Sequence, residues 1–337
     1  MRAHDGRLRV WGTLPDRYNG RQIAASTIDA DGRIVAMLVD PEVQCAQRGG
    51  DNAAYDATLV LNDGSDSHET VVHGLDLRFP KIDVLEDGFV IAAARCRMPV
   101  RPSATPYETF EELDVEVVRN ALVVDSAGDT KAAFHAGDAI EHLMTDADGT
   151  IWIAYFDESS ICAVWPVNPS TWPDAARPTK RMTLHTPGLI RWTSAGDPLW
   201  YAIADDSGSC NWTDLYVLNV GREYTWAYPY TGFPLVEIDG QGVRSVRRTP
   251  VRSASAVVTA GDRSAFLAAT GKHPQTPGVY DLTIACHTGG PIEAVSSTPL
   301  LLPDGTRPRN WARRRVCRDN RMWLQFDDPF TWYVIEI

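Results

Sequence analysis

Short apolar runs alternate along the whole chain with tight clusters of Gly, Asp, Asn and Pro, a rhythm that predicts β-strands joined by short turns. A turn followed by an apolar strand recurs six times: DADGRIVAMLV from Asp29, LEDGFVIAAA from Leu85, DADGTIWIAYF from Asp146, SAGDPLWYAIA from Ser194, TAGDRSAFLAA from Thr259 and CRDNRMWLQF from Cys317. The markers Gly32, Gly88, Gly149, Gly196, Gly261 and Asn320 are residue types that accept the positive φ of a tight hairpin. Their spacing, roughly 45 to 65 residues, suits four strands with their loops and points to a propeller. Two further strands follow most markers: ATLVLND and ETVVHG, ALVVDSAG and TKAAFHAG, ICAVWPV and KRMTLHT, DLYVLNV and EYTWAYPY, GVYDLTIAC and EAVSSTPLLL.

The two ends complete the pattern. After Pro308 only three strands remain (NWARRRVC, RMWLQF, TWYVIEI), while a spare strand, RLRVWGTL, precedes the first full repeat. Pairing the spare strand with the last three removes free sheet edges. The predicted fold is therefore all-β: one six-bladed β-propeller domain over residues 1–337, four strands per blade, with the N-terminal strand completing the C-terminal blade. Two stretches depart from the repeat, Pro99 to Leu113 and Asn168 to Thr179, and read as surface excursions.

Composition narrows the picture. With 337 residues, 44% of them hydrophobic, the chain is long enough to bury a sizeable core. No apolar run is long enough to cross a bilayer and the start, MRAHDGRLRVWGTLPDR, lacks a leader's apolar stretch, so no membrane is expected and the expected compartment is cytoplasmic. Six scattered cysteines without a C-x-x-C pair read as buried free thiols. A formal charge of −12 argues against nucleic acid as a partner.

The segment DGTIWIAYFDE resembles the blade motif of propellers in sensory regulators. FHAGDAIEHLMTDADGTIWIAYFDE and TDLYVLNVGREYTWAYPYTGFPLVEI resemble a set of uncharacterised bacterial six-bladed propeller proteins, a likeness that implies the fold and brings no activity. The spacings of WD40 and kelch repeats are absent.

No nucleophile elbow, P-loop or H-E-x-x-H motif occurs. The Asp29–Gly32 and Asp146–Gly149 turns echo a calcium loop but lack its closing Glu, and turn formation explains them. No cofactor or metal is predicted, with a divalent ion in the central channel kept as an alternative. The strongest chemical signal is clustered arginine: Arg244, Arg247, Arg248 and Arg252, then Arg307, Arg309, Arg313, Arg314, Arg315, Arg318 and Arg321. First strands of propeller blades line the channel, which suggests a mouth layer of Arg21, Asp138, Thr186, Arg252 and Arg309, with Arg78 and Lys81 near it. Guanidinium groups there would concentrate an anion in an otherwise acidic protein. Arg21, Arg252, Arg309, Arg313 and Tyr155 are the expected ligand-binding residues. Asp138, Glu141, His142 and Asp157 are the candidate acids and bases, against a structural reading in which His142 is a satisfied channel histidine and the carboxylates pair with arginines. The alternating Tyr224, Trp226, Tyr228, Tyr230 and Phe233 read chiefly as packing.

Three functions follow from these residues. The first is a binding propeller for a small anionic molecule or an acidic partner at the arginine-rich mouth. The second is a central-channel enzyme, a hydrolase, lyase or isomerase, lactonase-like if a metal is held. The third is a scaffold for another protein.

Overall fold

The structure, a computed structural model, describes residues 5–43, 54–96, 118–162, 188–202, 210–269, 280–287 and 290–337. Nearly all of its regular secondary structure is antiparallel strand in units of four. The first unit is β2 (Gln22–Ile28), β3 (Ile34–Val39), β4 (Tyr55–Asn62) and β5 (Ser67–Leu75). The second is β6 (Arg78–Leu85), β7 (Gly88–Arg95), β8 (Ala121–Val124) and β9 (Thr130–Phe134). The third is β10 (Ile140–Thr145), β11 (Ile151–Tyr155), β12 (Leu189–Trp192) and β13 (Pro198–Tyr201), with a short helix α1 (Asp157–Cys162) after β11. The fourth is β14 (Asp214–Val220), β15 (Thr225–Tyr230), β16 (Leu235–Asp239) and β17 (Gly242–Arg247). The fifth is β18 (Ala254–Ala260), β19 (Arg263–Ala269), β20 (Tyr280–Cys286) and β21 (Glu293–Pro299).

The remaining unit joins the chain's ends. β22 (Arg314–Arg318), β23 (Arg321–Gln325) and β24 (Thr331–Glu336) are completed by β1 (Arg9–Thr13), which pairs antiparallel with β24 through Arg9↔Val334 and Thr13↔Thr331. Trp11 extends this clasp: its indole meets Trp323 edge-on at 5.7 Å and donates to the Gly32 carbonyl in the first unit at 2.8 Å. The first strands of the units neighbour one another in cyclic order, β2 beside β6, then β10, β14, β18, β22 and back to β2. That is a β-propeller, with its first strands around the centre. One departure from even spacing is a parallel bridge, Asn219↔Cys317, that joins β14 directly to β22.

The turn chemistry holds, and it also explains one error of register. Asp29 Oδ1 accepts from the Asp31 and Arg33 amides, and Asp146 Oδ1 from those of Asp148 and Thr150, with Gly32 and Gly149 at φ 84° and 73°. Both turns join first to second strands, as expected. The same device closes outer hairpins, however: Asp125 to Gly128 joins β8 to β9, and Thr193 to Gly196 joins β12 to β13. Gly196 therefore marks the third and fourth strands of unit three, not the start of a fourth repeat. The inner turn of unit four lies at Gly221–Tyr224 and is braced from outside, by Asp319 Oδ1 accepting from the Arg222 amide. DLYVLNV and EYTWAYPY are accordingly first and second strands, two positions earlier in their unit than predicted.

The core lies between neighbouring units. Val35, Met37 and Leu59 of unit one pack with Ile82 and Ile91 of unit two, and Val90, Ala92 and Ala121 of unit two pack with Ile151, Ile153 and Ile190 of unit three. Second strands such as IVAMLV are buried on both faces, which is why they read as continuous apolar runs rather than alternating ones. Trp226 and Tyr228 of β15 are buried in this way and Phe233 is buried in the loop that follows, while Tyr230 is exposed and stacks on Tyr216 at 6.2 Å. Cys286 and Cys317 are free thiols. Among the described residues no helix is long and apolar enough to cross a membrane. The excursions at 99–113 and 168–179, the strand expected at KRMTLHT, Cys45 and Thr186 lie outside the described residues.

Candidate functional site

The two ends of the central channel differ. At one end Arg318, 4% exposed, ties together strands from four units: Nε donates to Ile28 O (3.0 Å), one terminal nitrogen to Thr145 O (2.8 Å), and the other to Asp83 Oδ2 (2.5 Å). Asp83 is fully buried and also accepts from the amides of Thr145 (2.7 Å) and Val84 (2.9 Å). Burial pushes the Asp83 carboxyl up, and Arg318 with the two amides opposes that rise. Asn219 continues the same layer, its amide donating to Val257 O and Asp319 O. This end is a closed polar plug in which every arm of the guanidinium is used.

Immediately beyond the plug a pocket of about 380 Å³ opens, lined from five of the six first strands. Its chemistry is concentrated in Lys81 from β6, Glu141 and His142 from β10, and Arg313, Arg314 and Arg315 at the start of β22. In a regular strand Glu141 and His142 would face opposite sides. The β10–β11 register jumps between Ile140 and His142, so Glu141 is the extra residue of a bulge, and both residues line the pocket.

Lys81 Nζ donates to the Glu141 carbonyl at 2.8 Å. Burial lowers its pKa, and Arg314 and Arg315 add to that effect while Glu141 works against it. Arg314 is committed, to Gln325 Oε1 (2.7 Å) and Ile23 O (3.2 Å), and burial with neighbouring Arg313 brings it down to about 10. Arg315 spends one terminal nitrogen on Ala312 O (2.9 Å). Arg313 is exposed, and no described residue hydrogen-bonds or pairs with its guanidinium. His142 Nε2 lies 3.3 Å from Tyr216 O, and since a carbonyl only accepts, that nitrogen carries the proton. Burial, reinforced by the charges of Lys81 and Arg315, brings His142 down to about 4, so the ring is neutral at pH 7. Burial alone would raise Glu141, but the neighbouring His142 ring, then the charges of Lys81 and Arg315, prevail and hold the carboxyl below its ordinary range. The lining thus carries four cations against one carboxylate in a protein of net charge −12.

The expected site residues divide sharply. Glu141, His142 and Arg313 are brought together in the pocket. Arg21 is not there: it pairs with Asp40 at 3.4 Å and reaches the Val39 and Leu38 carbonyls, fastening the β2–β3 hairpin. Arg252 is exposed beside the Phe233 ring, Arg309 is exposed, and neither lines the pocket. Tyr155 is a correction of a different kind. It belongs to a second strand packed on both faces, is fully buried, and donates to Ala136 O at 2.6 Å, so it cannot meet a ligand in the channel. Asp138 accepts from the Cys96 amide and lies 3.5 Å from Arg95, which also pairs with Glu158, a structural clamp. Asp157 is exposed at the start of α1. Arg244 and Arg247 are spent on Glu237 and Asp239.

One residue was missed. Asp214 opens β14, and burial, then the charges of Asp157 and Glu141, push its carboxyl up to about 6. The two-strand register error in unit four hid it, since its place at the head of a first strand is visible only once β14 is recognised as one. Among the described residues no three His, Cys, Asp or Glu side chains are grouped so as to hold a metal ion.

No family model matches the sequence, and no curated protein matches it. Solved structures similar to the chain include the mitotic checkpoint complex (8% identity, TM-score 0.48, covering 95% of this chain and 76% of that one). Virginiamycin B lyase from Staphylococcus aureus is similar at 10% identity and TM-score 0.37, covering 96% and 98%. AztD from Citrobacter koseri is similar at 13% identity and TM-score 0.42, covering 90% and 66%. Likeness at these scores carries no argument about this chain's activity.

Proposed function

We propose that the six units are the blades of a six-bladed propeller whose open channel end binds a small anionic molecule through Lys81, Arg313 and Arg315. One observation supports this reading above the rest: four cationic side chains line a pocket with a single carboxylate, and donors on three of them remain unspent. Guanidinium and ammonium groups brought together at such cost in mutual repulsion are relieved by an anion that accepts their hydrogen bonds. The test is thermal unfolding of the protein with inorganic phosphate or citrate at low ionic strength, because a ligand of the folded state raises the melting temperature. The wild type is expected to shift upward, the shift to shrink as salt is added, and Arg313→Ala with Lys81→Met to abolish it. No shift in the wild type, or an undiminished one in the double variant, rejects the reading and leaves a protein partner as the better hypothesis.

A second reading, central-channel catalysis, is favoured by a different observation. A neutral imidazole and an ionised carboxylate stand side by side in the same pocket, the states in which His142 and Glu141 would accept a proton. Turnover of a bound anion, lost in His142→Gln with binding retained, would move the assignment to an enzyme.

A further inference from the structure

The cations account for only one side of the pocket's chemistry. Glu141 lines the same space, and no described residue hydrogen-bonds or ion-pairs with its carboxylate. A carboxylate free among four cations weakens anion binding by its charge, so a ligand that gains nothing from it is penalised. Beside it, His142 carries its proton on Nε2, towards Tyr216 O, which leaves Nδ1 as a second acceptor with no hydrogen bond from any described residue. The bulge at Glu141 sets these two acceptors next to each other on β10, with the donors supplied by β6 and β22. Such a site is complementary to a molecule that is anionic at one position and offers O–H donors at another.

Resting on the anion-binding reading above, we infer that the ligand is a hydroxylated anion, such as a sugar acid or polyol phosphate, whose anionic group meets Lys81 and the arginines while its hydroxyls donate to Glu141 and His142. Glu141 is then the specificity-determining residue: it selects for hydroxyl groups and against plain anions of equal charge. A plain anion leaves the acceptor unpaired in a desolvated site, and that asymmetry is the usual source of discrimination between a hydroxylated molecule and its deoxy analogue.

The experiment is a pair of calorimetric titrations at low ionic strength with sn-glycerol 3-phosphate and propyl phosphate, which share chain length and phosphate and differ by two hydroxyls. In the wild type the glycerol ester is expected to bind about tenfold more tightly, the size of one or two hydrogen bonds to a charged acceptor. Glu141→Ala should bring that ratio close to one while binding propyl phosphate at least as well as the wild type, because a repelling charge has gone. Glu141→Gln also removes the charge but keeps an oxygen acceptor, so it should retain part of the ratio, which separates hydrogen bonding from electrostatics. Equal binding of the two esters to the wild type overturns this inference and leaves the anion site standing, as does a Glu141→Ala variant that loses both esters equally. Failure of both esters to bind overturns the anion site and this inference with it.

Discussion

The two ends of the channel use the same residue types one layer apart and to opposite ends. Arg318 and Asp83 are buried and satisfied from every side: carbonyls of β2 and β10 and amides of β6 and β10 complete the pair. Arg313, Lys81 and Glu141 line the pocket with donors and an acceptor unspent. A charge pair that is fully enclosed gives geometry, because it fixes where four first strands lie relative to one another. Charges left open can be completed by a molecule from outside, which is what the anion-binding proposal rests on. The plug also bounds the pocket, since its partners Ile28, Asp83 and Thr145 directly follow the lining residues Thr27, Ile82 and Met144.

The sharpest way to break the contrast is to remove one member of the plug. Asp83→Ala leaves Arg318 charged and buried at 4% exposure, and losing one partner of such a pair costs about 3 to 5 kcal/mol. Urea unfolding should show that loss directly. Arg318→Met combined with Asp83→Leu should recover much of it, because no charge is then stranded. A single variant as stable as the wild type would contradict the role given to the plug.

How far the sequence foretells this arrangement depends on what each signal reports. The clasp of β1 on β24 is readable, because a spare strand at one end and a missing one at the other is a matter of counting. The turns are readable too, because Asp29 and Asp146 act through their own local backbone. Register in unit four is not, since Thr193–Gly196 uses the same turn chemistry for an outer hairpin while the Gly221–Tyr224 turn is braced at the Arg222 amide by Asp319 from another unit. Of the arginine cluster only Arg313, Arg314 and Arg315 line the pocket: Arg318 is in the plug and Arg321 pairs with Glu336. Which side of a first strand each residue takes depends on bulges such as that at Glu141, and a bulge has no pattern in a single sequence.

A smaller effect, and one without a stability cost, is expected at the open end. Arg313→Ala should weaken phosphate or citrate binding by about tenfold, as loss of a charge-assisted contact does, while leaving the unfolding midpoint in the absence of ligand unchanged. Calorimetry and urea unfolding on the same preparation test both halves. A drop in stability equal to that of Asp83→Ala would mean that the two ends do not divide their labour as described.

The finest test compares two carboxyls that burial raises for the same reason, Asp83 at the closed end and Asp214 at the open one. Asp83 has Arg318 to compensate it, whereas the charged groups that influence Asp214, Asp157 from α1 and Glu141 from β10, are both negative. A carboxyl whose pKa is higher in the folded state holds its proton more tightly there, so the fold loses stability as pH rises from about 4, where the unfolded carboxyl ionises, to about 6, where the folded one does. Above that the cost is present in full. Asp214→Asn removes it, so the variant should be more stable than the wild type at pH 7.5, by about 1 kcal/mol given the water around a half-exposed side chain, and no more stable at pH 4. Asp83→Asn, the same change at the closed end, should destabilise at pH 7.5, because it strands Arg318. Urea unfolding of the two variants at both pH values decides the matter, and a destabilised Asp214→Asn at pH 7.5 would show that Asp214 has a compensating partner after all.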